Sequence, residues 1–193
     1  MSKYQSSLAL IACIFLFDGY MAGAQTAATY APEELRRHFQ NEATGHRWML
    51  ICCGLPGDDM HRERLTTAVA RIVGATEPVF EVPSNRLRVL VGDETMADAL
   101  KDLSVRPDVC TAEETAASLQ ALAKQIQPND SLWIICLGHA QLYAGRSTFN
   151  VKGKDFDASE LSKWLAPVQC RERIVMLTMP VSGFWIKPLR GPN

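Results

Sequence analysis

The chain has little net charge, few histidines and no apolar run long enough to cross a membrane. Its 193 residues carry a net charge of −1, without the basic excess that is typical of nucleic-acid-binding proteins. The N-terminal apolar run, residues 8–17, is about half as long as the roughly 20 residues that a transmembrane helix needs. Internal repeats and low-complexity tracts are also lacking. We therefore expect no nucleic-acid partner and no membrane span in the mature chain.

The first 24 residues have the pattern of a secretory signal peptide. Lys3 supplies the positive start, residues 8–17 the apolar centre, and Ala22 and Ala24 the small residues of an A-x-A cleavage site. A lipoprotein signal ending at Cys13 is the competing interpretation, but the apolar run continues past that residue. Cleavage after Ala24 predicts a periplasmic or secreted protein.

Cysteine and histidine are too scattered to suggest a metal site. No C-x-x-C pair or His/Cys cluster has the spacing of metal ligands, so we expect no metal and no cofactor. Five cysteines follow the predicted cleavage point, and an odd number in an exported protein leaves a free thiol or an intermolecular bridge. These cysteines are Cys52, Cys53, Cys110, Cys136 and Cys170.

Apolar runs alternate with helical patterns after a polar lead-in over residues 25–45. The alternation predicts one α/β domain over residues 46–193, with three α/β/α layers and a mainly parallel sheet. Strands are expected at 48–53, 87–91, 132–137 and 173–178, and helices at 58–73, 111–126 and 157–165.

Residues with chemical potential follow three of these strands. The turn 54–57 comes after the first strand, His139 after the third and the turn 180–183 after the fourth. Ligands of open parallel sheets bind outside the carboxyl ends of the strands. These three segments are therefore the candidate site.

Several short motifs, in this order, resemble the legumain-like cysteine peptidases of the caspase–haemoglobinase fold, and within that family bacterial envelope proteins. The resemblance covers about residues 46 to 193 and implies the strand order 2-1-3-4, in a domain that is incomplete at its C-terminus. The motifs are segments 54–61, 137–139, 143–153, 157–161 and 181–183.

The resemblance assigns roles to individual residues and shows where the family pattern fails. His139 matches the general base, although Ala140 stands where the family has glycine. Matching Ser182 and its following glycine to the family's Ser-Gly pair places Pro180 at the nucleophile. Proline has no nucleophilic atom.

The substrate side of the family site matches the turn after the first strand. Gly54, Gly57 and, by a gapped match, His61 are its candidate residues. The competing interpretation of His61 is a surface histidine of a helix.

Three hypotheses follow. The leading one is an exported, catalytically inactive peptidase relative (a pseudoenzyme) that binds a peptide or protein partner. The second is an active hydrolase with Ser182 as nucleophile and His139 as base. The third is a non-functional fragment of a peptidase-like gene. An exposed apolar edge on the last strand also predicts self-association.

Overall fold

A five-stranded parallel sheet lies at the centre of the computed structural model, which describes residues 45–190. The predicted signal peptide and nearly all of the lead-in lie outside the described residues. The central sheet has the order β3-β2-β1-β4-β8, and a small antiparallel sheet has the order β5-β6-β7. The strands are β1 (Arg47–Cys53), β2 (Leu87–Val91), β3 (Asp108–Val109), β4 (Ser131–Leu137), β5 (Ala140–Tyr143), β6 (Arg146–Phe149), β7 (Phe156–Asp157) and β8 (Glu172–Leu177).

The predicted strand order 2-1-3-4 is confirmed. The four expected strands are β1, β2, β4 and β8, and all their pairings are parallel. The short strand β3 pairs with β2 and was not predicted. The last strand runs over Glu172–Leu177 rather than residues 173–178.

Helices cover both faces of the central sheet, which confirms the three layers. Alternate residues of β1 face opposite sides, with Leu50 and Cys52 in one apolar cluster and Met49 and Ile51 in the other, as the period of two in a strand requires. Two of the helices, Ala112–Ala123 and Ala158–Leu165, start and end within three residues of the predicted ranges 111–126 and 157–165. The helices are α1 (Asp59–Thr76), α2 (Glu94–Ala99), α3 (Ala112–Ala123), α4 (Ala158–Leu165) and α5 (Ile186–Leu189).

Each predicted helix start carries a side-chain cap. Thr111 accepts a hydrogen bond from the Glu114 backbone N–H, and Asp157 forms a complete capping box with Glu160. Such caps satisfy backbone donors that have no partner within the helix. Helix α2 starts in the same way at Asp93, but its six residues are too few for a clear periodic pattern.

The end of the described chain packs against the face that carries α4. Trp185 is completely buried and donates its indole N–H to Ser147 Oγ at 3.0 Å. Its ring also lies edge-on to Phe156. The C-terminal segment is therefore anchored to the small sheet and to α4, and β8 pairs with no further strand among the described residues.

Candidate functional site

The turn after β1 is held tightly against its neighbours. The Gly54 N–H donates to the Leu137 carbonyl at 2.8 Å, and the Leu55 N–H donates to the Asn150 carbonyl at 2.9 Å. A Cβ atom at Gly54 would lie 2.4 Å from that same Asn150 oxygen. Gly57 ends the turn with φ 83°, a conformation that glycine adopts readily. Glycine is thus required at Gly54 by close approach and favoured at Gly57 by the backbone.

His139 follows β4 and is oriented by this turn. Its Nε2 lies 3.1 Å from the Pro56 carbonyl oxygen, and its own carbonyl accepts the Asn150 N–H at 3.1 Å. A carbonyl oxygen can only accept, so Nε2 carries the proton and Nδ1 is bare in the neutral ring. A nucleophile is activated by a neighbouring base, and a further group holds that base in the correct orientation.

His61 lies in the first turn of α1 and contacts His139. The two ring centroids are 4.8 Å apart, with an interplanar angle of 73°. Asp58, the N-cap of the helix, accepts the His61 backbone N–H at 2.8 Å, and its carboxylate lies 2.8 Å from Nδ1 of the ring. These two hydrogen bonds, backbone first, lower the pKa of Asp58. His61 is partly exposed, and the structure brings its ring to His139.

The turn after β8 has a strained backbone. Pro180 is exposed, and Val181 has φ 52° and ψ 23°, the left-handed region that a β-branched residue rarely adopts. Ser182 begins a 3-10 helix, Ser182–Trp185, which the buried indole of Trp185 anchors.

The structure brings no nucleophile to the candidate base. Among the hydrogen bonds of the described residues, the His139 ring bonds to the Pro56 carbonyl and to no hydroxyl or thiol. In particular, no hydrogen bond joins Ser182 to His139.

The cysteines offer no substitute nucleophile. None of those between residues 45 and 190 forms a disulfide, and all except the half-buried Cys170 are buried. Hydrogen bonds with the Cys110 and Cys136 thiols raise the pKa of Cys52, and burial adds to this effect. Burial also raises the pKa of Cys53. Reactive cysteines need a stabilised thiolate, so these thiols are suited to packing.

The exposed large apolar side chains are confined to three segments of the chain. In the described part of the chain, every large apolar side chain that is exposed belongs to a segment following the carboxyl end of β1, β4 or β8. The set comprises Met60, Leu142, Tyr143, Val181, Phe184 and Ile186. Exposed apolar side chains mark interaction sites where they form a contiguous patch.

The hairpin that carries two of these side chains is a two-residue turn. Ala144 and Gly145 connect β5 to β6 with φ 48° and 76°. Positive φ at both positions matches a type I′ turn. The turn displays Tyr143, whose exposed fraction is 85%, next to the exposed Arg146.

Sequence reasoning placed Gly54, Gly57 and His139 at one edge, and the structure brings them together. It did not find Pro56, which contributes through a backbone carbonyl, or Asn150, whose backbone links the turn to His139. Backbone contacts of this kind leave no residue-type signal. The pairing of Asp58 with His61 does have a signal, since an N-cap residue faces the helix three residues later.

Two further observations concern the described residues alone. No group of three or more His, Cys, Asp or Glu side chains there could hold a metal ion. No helix there is long and apolar enough to cross a membrane. Comparison with protein-family models gave no match, and comparison with curated proteins gave no significant match.

Proposed function

We propose that this chain is an exported, non-hydrolytic relative of the legumain-like cysteine peptidases, with a caspase–haemoglobinase-like fold, that binds a peptide or protein partner at the carboxyl edge of its sheet. The parallel sheet and the position of His139 at the end of β4 support this assignment.

One observation carries the proposal: the His139 ring has an orienting partner but no nucleophile beside it. The Pro56 carbonyl accepts the hydrogen bond of the His139 ring, which is the kind of contact that would orient a general base. The position expected for the nucleophile holds Pro180, and no hydroxyl or thiol of residues 45–190 is hydrogen-bonded to the His139 ring. Without a group to deprotonate, the base has no covalent step to catalyse.

The segments that follow β1, β4 and β8 suit binding better than chemistry. Apolar side chains exposed in these segments, such as Phe184 with an exposed fraction of 51%, occur in the same three segments as the Pro56 carbonyl and the two imidazoles. Peptide sites combine apolar anchors with a few polar groups that set orientation. The preferred partner is therefore a segment with bulky apolar side chains.

Binding is tested with the full chain and a library of fluorescent peptides, by anisotropy. Phe184→Ala should weaken binding of the selected peptides by at least about tenfold, roughly the loss of one buried aromatic anchor. The half-buried Leu103, which lies between α2 and β3, provides the control variant Leu103→Ala, and this should leave affinity unchanged. Equal affinities for all three proteins would refute the proposed surface.

Hydrolysis is tested on the same peptides. We expect no cleavage by the unmodified chain, and no labelling at this turn by thiol-directed peptide inhibitors. Pro180→Cys should allow weak labelling that His139→Ala removes, because the base half of the site is in place. Peptide cleavage by the unmodified chain that His139→Ala abolishes would establish the active hydrolase and contradict the proposal.

A further inference from the structure

Two histidines far apart in the sequence meet at the carboxyl edge, and each uses one ring nitrogen in the same way. His61 directs Nδ1 at the Asp58 carboxylate at 2.8 Å, and His139 directs Nε2 at the Pro56 carbonyl at 3.1 Å. Both partners are oxygen acceptors, so each ring nitrogen in contact with them carries the proton.

The opposite nitrogen of each neutral ring keeps its lone pair. These atoms are Nε2 of His61 and Nδ1 of His139, and neither has a hydrogen-bond partner within residues 45–190. Metal-bound histidines almost always donate the other ring N–H to a carboxylate, a backbone carbonyl or water, which sets the tautomer and raises ligand basicity. Here one histidine has the carboxylate and the other has the carbonyl.

The spacing of the rings fits shared coordination. Two imidazoles bound to one ion at nitrogen–metal distances of about 2.0–2.1 Å have centroids roughly 4.5–5.2 Å apart when the angle at the metal is about 90–110°. The observed separation is 4.8 Å, in an edge-on arrangement. Rings stacked face to face would not allow this coordination.

We propose that His61 and His139 form an exchangeable site for a divalent transition-metal ion of the zinc class. No third protein ligand joins them among the described residues, so water or an added ligand completes the coordination. Imidazole ligands suit zinc, copper and nickel, whereas calcium and magnesium prefer oxygen. The site does not depend on peptide binding by the surrounding surface.

The test is calorimetric titration of the full chain with Zn²⁺ alone, at about pH 8, where metal binding competes with fewer protons. We expect one ion per chain, and no binding of Mg²⁺. His61→Ala and His139→Ala should each weaken Zn²⁺ binding by at least about tenfold. Asp58→Asn should weaken it by about tenfold, because outer-shell partners contribute about 10–100-fold, and asparagine keeps the helix cap.

Two control variants test whether side chains outside this site bind the Zn²⁺ ion. His46 lies at the opposite end of β1 and is exposed, so His46→Ala should bind Zn²⁺ like the unmodified chain. Cys170→Ser should do so as well, and the Co²⁺ complex should lack thiolate charge-transfer absorption. Unfolding curves without metal identify any variant that fails to fold. If His139→Ala does fail, the partly exposed His61 still provides the test.

Three results would overturn the proposal: no Zn²⁺ binding at millimolar concentration, unchanged binding in His61→Ala, or loss of binding in Cys170→Ser. A peptide-binding failure of the chain would leave each of these measurements unaffected. The metal site and the proposed function are therefore tested separately.

Discussion

Asp130 connects the amino ends of the three central strands whose carboxyl ends carry the candidate site. Its carboxylate accepts the His46 N–H at 2.7 Å, the Trp48 indole N–H at 2.9 Å and the Gln127 N–H at 2.9 Å. Its own carbonyl accepts the Arg171 N–H, immediately before β8. With only 2% of its surface exposed, Asp130 should contribute strongly to stability.

The cost of changing this residue can be worked from those contacts. In Asp130→Asn, the amide oxygen can take the place of the oxygen that accepts from Trp48 and Gln127, and the His46 N–H then loses its acceptor. A buried donor left without a partner costs about 1–3 kcal/mol, so we expect a loss of about 1–3 kcal/mol in the free energy of unfolding. Trp48→Phe removes only one donor and should cost about 1 kcal/mol from the hydrogen bond.

The same contacts predict how stability depends on pH. Burial by itself would raise the pKa of Asp130, but the hydrogen bonds from Gln127, His46 and Trp48 outweigh it and lower the pKa. A carboxyl group with a lowered folded-state pKa stabilises the fold fully above its unfolded value, about 3.9. This stabilisation is lost as the pH falls through the lower folded-state pKa. Asparagine does not titrate, so the gap between the two proteins should narrow below about pH 4.

Urea unfolding followed by tryptophan fluorescence measures both effects, at about pH 7 and in steps below about pH 4. Trp48→Phe serves as the partial control. An Asp130→Asn variant as stable as the unmodified chain at neutral pH would refute the argument from unsatisfied donors. A stability gap that does not narrow in acid would refute the linkage to the Asp130 carboxylate.

Three further predictions concern the edge strand, the strained turn and the N-terminus. Within residues 45–190, β8 pairs with β4 alone and leaves its other edge unpaired. This edge, with the half-buried residues 174–177, should make the chain self-associate at micromolar concentration. Sedimentation should show dimers or larger species, and Val175→Lys should shift them to monomer. A monomeric unmodified chain would contradict this. Val181→Gly should raise the free energy of unfolding by about 0.5–1 kcal/mol. Glycine removes a left-handed backbone strain of about 1–2 kcal/mol, but the greater freedom of the unfolded glycine chain offsets part of this gain. Val181→Ala should stabilise the chain less, and a less stable glycine variant would contradict the prediction. If the chain is exported as proposed, mass spectrometry of the protein from the cell envelope should find Gln25 at the N-terminus. Peptides from residues 1–24 on that protein would count against cleavage.

The order of the main elements was readable from the sequence because strong local signals agree there. Continuous apolar runs such as residues 48–53 predicted buried parallel strands, and the caps at Thr111 and Asp157 marked helix starts that the structure confirms. Those runs also determined that the segments following β1, β4 and β8 share one edge. A sequence predicts a helix or strand only where its apolar residues repeat over several positions, because the repeat reflects the period of the helix or strand.

The short elements were missed for the same reason. Strand β3 has two residues and α2 has six, too few for a period to appear. Strand β5 is largely exposed, so it shows no apolar alternation, and β6 has only four residues. Tertiary contacts, such as the pairing of β3 with β2, stabilise these segments, and a single sequence does not display such contacts.

Only the tertiary structure decided the chemistry of the edge. The sequence favoured a surface position on a helix for His61, and the fold places its ring against His139. The orienting group of His139 is the carbonyl of Pro56, which every residue type possesses. Sequence alone determined the kind of sheet and the segments at its edge, because both follow from local periodicity. Which nitrogen bonds to which oxygen depends on the close approach of segments that are distant in the chain, and this geometry exists only in the folded protein.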